Sequence, residues 1–186
     1  MGALLVLLER RGAELKVASL QALSTARHLA DSTGDTVVAL AFGSGAASVA
    51  DLAGAHGADR LFAVDDAEVD LYVPEVYAAT LAEVAKQCFA DTILAAGTSL
   101  GRDVAARTCA RLGTGLLSDV VEIERTAGGG LRGKRPVYSG KAYAWASVPD
   151  ARPSMATLRP NVFPAVTGTP RAVEVVALAP ASVPVR

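Results

Sequence analysis

Aromatic side chains are scarce in this sequence, with 4 Phe, 4 Tyr and 1 Trp making up 5% of 186 residues. Alanine, valine and leucine must therefore fill any core, and with 51% apolar residues a large core can be buried. Cysteine and histidine are nearly absent, at 2 residues each. Cys88 and Cys109 sit in helical patterning among apolar neighbours and read as buried free thiols. Neither lies near His28 or His56, so metal-ligand spacing is missing and metal catalysis is not expected. The net charge is −1, without the basic excess of a nucleic-acid binder. No apolar run approaches bilayer length, so membrane insertion is not expected. The opening "MGALLVLLERRGAELK" has neither a basic leader nor a small-residue cleavage site, and reads as a core strand rather than a signal or transit peptide.

What is present is an alternation of short apolar runs with helical segments. Runs 3–9, 36–43, 60–66 and 92–97 read as buried strands. Between them, Leu20, Leu23, Ala26 and Ala30 share one helical face, residues 48–57 form a short helix, and a third helix starts at Pro74 and buries Tyr77, Leu81, Val84 and Cys88. Strands separated by such helices predict a parallel sheet covered on both faces. From Gly113 onward the helical period fades, and β-rich stretches separated by glycine and proline turns are expected to extend or brace that sheet. No internal repeat is evident.

The stretch "ILAAGTSLGRDVAARTCARLGTGLLSD" (93–119) puts a strand, Gly97, Gly101 and a helix in an order that often cradles phosphate. It matches neither the dinucleotide fingerprint nor a P-loop. Asp103 falls in the first helical turn, where it offsets the partial positive charge, and stands i, i+4 from Arg107. Leu100, Val104, Thr108 and Leu112 form the expected buried face, with Gly113 as terminator. Capping and packing therefore explain the turn better than a cofactor does. Arginine outnumbers lysine 14 to 4, with Arg102, Arg107 and Arg111 projecting from this helix and Arg132, Lys134 and Arg135 clustered after "TAGGGLRG". A solvated face is the default reading, and bidentate pairing at a protein interface is the functional one. No catalytic triad or carboxylate pair stands out.

Two segments, "AAGTSLGRDVAARTCARLGTGLLSDVVEIE" and "RPVYSGKAYAWASVPDARPSMATLRPNVFPA", closely resemble the alpha subunit family of electron transfer flavoproteins. The matching features are Gly-Arg-Asp before an Ala/Arg-rich helix, Leu-Gly-x-Gly-Leu with an aspartate, and Arg-Pro-x-Tyr-x-Gly-Lys-Ala leading to a later Arg-Pro. The likeness runs from about residue 3 to 168. It implies an α/β, Rossmann-like three-layer domain of the adenine-nucleotide alpha-hydrolase-like class, with a mostly parallel sheet extended by C-terminal β strands. Residues 1–167 would form this N-terminal domain and 168–186 an extended arm or linker, with the family's FAD-binding C-terminal domain absent. The resemblance implies an electron carrier rather than an enzyme: a docking and scaffold domain that pairs with a beta subunit. The full heterodimer carries FAD and moves electrons from dehydrogenases, such as those of acyl-CoA in fatty acid oxidation, to a quinone oxidoreductase. FAD is not expected on this chain alone, and AMP is expected only on the beta subunit. The location would be cytoplasmic in a bacterium and the mitochondrial matrix in a eukaryote. Gly97, Gly101, Arg102, Asp103, Asp119, Tyr138, Gly140 and Arg159 match the family pattern. Of these, Arg102, Asp103, Tyr138 and Arg159 are the candidate partner or interdomain contacts. The alternative is a small nucleotide-binding module resembling universal stress proteins, resting on the Gly97–Gly101 turn.

Overall fold

A computed structural model describes residues 2–148 and 152–184. In chain order, β1 is Ala3–Leu7, β2 Arg10–Arg11, β3 Glu14–Leu15, α1 Val17–Asp31, β4 Thr36–Phe42, α2 Ala50–Ala55 and β5 Arg60–Val64. Then come α3 Pro74–Gln87, β6 Ala90–Ala96, α4 Ser99–Leu112, β7 Leu116–Val120, β8 Glu122–Arg125, β9 Leu131–Val137, β10 Ala142–Ser147, β11 Ser154–Leu158 and β12 Glu174–Ala177. Seven strands form one sheet in the order β12-β5-β4-β1-β6-β11-β7, and every pairing in it is parallel. This is the expected Rossmann-like three-layer architecture.

The layers follow from the alternation along the strands. In β1 all five residues are buried, because both of its faces are covered. Leu4 and Val6 join Leu23 and Ala26 of α1 and Ala53 of α2 in one core. Leu5 and Leu7 join Leu81 and Val84 of α3 and Val104 of α4 in the other. Small alanines let the helices approach closely, which is how a chain this poor in aromatics closes its core. Cys88 and Cys109 are half-buried free thiols, and burial pushes both above the ordinary thiol range. Leu100 and Leu112, expected on the buried face of α4, are half-buried and pack against its core, while Val104 and Thr108 are fully buried.

The later strands divide. β11 slots between β6 and β7, so the main sheet is completed by a strand that follows a long excursion. That excursion is a three-stranded antiparallel sheet, β10-β9-β8. Its inner side is seated by Leu131 and by Gly133, where a Cβ would stand 2.9 Å from Val120 Cγ2.

After β11 the chain returns across the molecule as an extended strap. The Ser24 hydroxyl accepts from Val166 N (2.9 Å), Gly168 N donates to Ala55 O (2.8 Å), and Arg171 pairs with Asp59 at 3.1 Å. The strap ends in β12, parallel to β5. The segment 168–186, expected as an arm or linker, thus supplies an edge strand of the sheet. His56 lies beneath the strap with Nδ1 3.4 Å from Ser24 Oγ, and burial lowers its pKa from the ordinary histidine value. A histidine kept neutral on folding binds fewer protons than the unfolded chain, so its contribution is complete above about pH 6.5 and is lost as pH falls below that. The urea midpoint should therefore fall between pH 7 and 5, and His56→Gln should flatten this slope. Asp35, Asp70 and Asp103, whose pKa values are lowered, act only at more acid pH. An unchanged slope in the variant would remove His56 as its source.

Candidate functional site

In open α/β sheets, ligands bind beyond the carboxyl ends of the strands. Three features stand along that edge here: the Gly97–Gly101 turn, a cavity beside β1 and β4, and a notch beside β7 and β11.

The turn is closed by the protein's own groups. Thr98 caps α4, its hydroxyl accepting from Gly101 N at 3.0 Å. The same hydroxyl donates to the carboxylate of Glu9, a residue only 5% exposed just after β1. Lys16 Nζ, 2.9 Å away, pairs with the other Glu9 oxygen. The anion at this helix start is therefore a side chain of the chain itself. Gly97 N donates to Leu158 O at 2.6 Å, which ties β6 to the end of β11. Asp103, expected to offset the helix charge, instead accepts from the Tyr72 hydroxyl and pairs with Arg107 at 3.0 Å. Burial and that acceptor together raise the Tyr72 pKa. Arg102 is exposed and has no side-chain partner among the described residues. Glu9 was the residue that sequence reasoning missed. The available signal was an acid directly following a buried strand.

The cavity beside β1 and β4 has a volume of about 490 Å³, with Glu9, Arg10, Lys16, Asp70, Tyr72 and Tyr77 in its lining. Arg10, Lys16, Glu9 and Asp70 in this lining are each paired within the chain. Arg10 donates to the carbonyls of Phe42 (2.7 Å), Gly12 (2.5 Å) and Ser44 (2.5 Å). Asp70 accepts from Ser44 N (2.6 Å) and its hydroxyl (2.9 Å), and these bonds hold its carboxyl below the usual range. Tyr77 stacks on Phe42 with centroids 3.9 Å apart, and burial pushes its hydroxyl up to about 12. The hydroxyl donates to Val69 O at 2.8 Å.

The notch beside β7 and β11 brings together two of the four candidate contacts. Arg159, just after β11, forks onto Asp119 of β7 through Nε–Oδ1 at 2.9 Å and Nη2–Oδ2 at 2.5 Å. The bond to Asp119 also raises the arginine's pKa. The turn between β9 and β10 closes the other side with Tyr138, Ser139 and Gly140, all at positive φ. The Tyr138 ring is 81% exposed rather than packed. Arg135 completes the lining. Arg102 and Asp103 lie apart from this group, on α4.

Outward from the notch runs β10, with the sequence AYAWAS, paired among the described residues with β9 on one side. Tyr143 is 58% and Trp145 39% exposed, and Arg132 Cζ stands 4.4 Å over the Trp145 ring. Arg132 and Lys134 pair with Glu124 and Glu122 on the same face.

The electron transfer flavoprotein domain family matches residues 4–183. The electron transfer flavoprotein alpha subunit of Thermoanaerobacterium thermosaccharolyticum is 35% identical over 155 residues, covering 83% of this chain and 47% of that protein. Protein FixB of Clostridium saccharobutylicum is 35% identical over 159 residues (85% of this chain, 47% of that protein). The Bacillus subtilis alpha subunit is 32% identical over 158 residues (84% and 47%). The chain spans about half the length of these relatives. With nearly its whole length inside one family match, the chain belongs to the electron transfer flavoprotein domain family, among proteins named as its alpha subunits.

Proposed function

We propose that this chain is the docking and scaffold domain of an electron transfer flavoprotein alpha subunit. It acts as part of an electron carrier rather than as an enzyme. A beta subunit binds it, and FAD is held by polypeptide outside this domain. The assembled carrier takes electrons from dehydrogenases, such as those of acyl-CoA, and delivers them to a quinone oxidoreductase. AMP, where present, belongs to the beta subunit, and the assembly works in the cytoplasm of a bacterium or the matrix of a mitochondrion.

The edge of β10 carries the docking reading. Soluble proteins protect exposed strand edges with lysine, proline, bulges or a covering element. β10 carries no charged residue and no proline, and no strand among the described residues covers its free edge. The outward face it shares with β9 offers Tyr143, Trp145 and Arg132, the residue types that dominate binding energy at interfaces. Tyr138 and Arg159 lie at one end of this face, which makes them contacts of the same surface. Arg102 and Asp103 would belong to a separate contact along α4. The competing reading, a nucleotide-binding module like universal stress proteins, rests on a turn that Glu9 and Thr98 already fill.

The test is to mix the purified chain with its cognate beta subunit, measure association by calorimetry, and record flavin absorbance of each sample. The chain alone should be colourless and should form a 1:1 complex. Trp145→Ala should weaken association tenfold or more while leaving thermal stability nearly unchanged. Stoichiometric FAD on the isolated chain would overturn the division of labour, and unaltered association of the variant would overturn the assignment of the surface.

A further inference from the structure

The notch beside β7 and β11 contains an arginine that the fold does not use. Among the described residues Arg135 has no carboxylate partner, and its buried Nε has no hydrogen-bond partner. Leaving a buried donor unmade is costly, and a guanidinium is a fork for oxyanions. The arginine across the notch, Arg159, has its charge met by Asp119. Two guanidiniums therefore share a space with one carboxylate, an excess of one positive charge.

The backbone around this space is also held in an uncommon conformation. Asp119 (φ 62), Tyr138 (φ 50) and Ser139 (φ 56) are non-glycine residues in the left-handed region, and all three line the notch. Such positions cost on the order of 1–3 kcal/mol each and concentrate at ligand clamps. The notch lies beyond the carboxyl ends of two parallel strands, where this architecture places ligands.

We propose that this notch binds a phosphate-bearing small molecule. Arg135 forks the phosphate oxygens, the Ser139 hydroxyl adds a donor, and Arg159 lends charge while held by Asp119. A phosphate offers three acceptor oxygens to these donors, where a carboxylate offers two. The notch, about 630 Å³ and open to solvent, leaves room for an organic group attached to the phosphate. The exposed Tyr138 ring forms a face on which a planar part of that group rests. This proposal shares Tyr138 and Arg159 with the docking surface but is tested on the chain alone, and it concerns a site other than the closed Gly97–Gly101 turn.

The experiment is calorimetric titration of the chain at low ionic strength with inorganic phosphate, phenyl phosphate and phenol. Phenyl phosphate should bind saturably at 1:1, more tightly than inorganic phosphate, and phenol should not bind. Arg135→Gln should weaken phenyl phosphate at least tenfold and Arg135→Lys by less, because lysine keeps the charge but not the fork. Tyr138→Ala should erase the advantage of phenyl phosphate over inorganic phosphate. Arg102→Gln removes an equally unpaired arginine outside the notch and should change nothing. Thermal melts of the same variants separate lost binding from lost fold. Equal losses in Arg135→Gln and Arg102→Gln would mean non-specific charge attraction and overturn the site. So would absence of saturable binding, or an affinity indifferent to Arg135.

Discussion

Replacing Gly101 by alanine is expected to cost about 3 kcal/mol and to lower the melting temperature by roughly 6–12 °C. A Cβ built there would stand 2.0 Å from Ala96 O and 3.1 Å from its carbonyl carbon. Those atoms are backbone at the end of β6, an inner strand of the sheet, so no flexible side chain can step aside. The helix would have to lift off the strand. In lifting, it would pull the Thr98 hydroxyl from Glu9 and leave a buried carboxylate with a single partner. Gly113→Ala is the control. It also replaces a glycine of the α4 turn region, at φ 63, but nothing lies within 4 Å of its added methyl. That change should cost only about 1 kcal/mol, the conformational penalty alone. Circular-dichroism melts of the two variants decide the matter. Equal losses would mean that the close approach at Gly101 relaxes at no greater cost than the left-handed alanine at position 113.

The glycines that looked like a phosphate cradle are thus packing devices, and the reason was half legible. The sequence lacked a fingerprint, which argued against a cofactor, but nothing in the linear order showed that Glu9 would face Thr98. That contact needs β1 and β6 side by side, a pairing across 89 positions. The first strands and helices were readable because each carries its own period, and β4, β6 and α4 stop at Gly43, Gly97 and Gly113. The placement of β11 was not. Its uncharged SMATL run, unlike the charged runs of β8 and β9, fits a strand buried on both faces. But nothing in the linear order shows that it slots between β6 and β7, which is what brings Arg159 onto Asp119. The same applies to the basic cluster after the glycine hairpin. Read as a group, Arg132, Lys134 and Arg135 suggested one solvated face. Strand alternation divides them: Arg132 and Lys134 lie with Trp145, while Arg135 turns with Gly133 to the inner side. That division was available from a period of 2 alone, once the segment is accepted as a strand.

The strap gives the second large effect. Asp59→Ala should destabilise the chain by about 3 kcal/mol, because one carboxylate holds three parts of the fold. Its Oδ2 accepts from Arg27 Nη1 of α1 and from Val37 N of β4, both at 2.9 Å, and its Oδ1 accepts from Arg171 of the strap at 3.1 Å. The side chain is 29% exposed and Arg171 46%, so the strap pair alone is worth no more than about 1 kcal/mol. Most of the cost falls on the inner pair, where Val37 N loses its acceptor and Arg27 its inner anchor. The local consequence is nevertheless at the strap. Freed of Asp59, the backbone at Arg171 opens more often, and trypsin should cut there faster than global unfolding allows. Asp59→Asn keeps an oxygen for Val37 N but not the charge, so it should recover part of the stability while the strap stays open to cleavage. If both variants lose stability but cleavage at Arg171 follows global unfolding alone, then Asp59 anchors the sheet and the strap is held by Ser24 and Ala55.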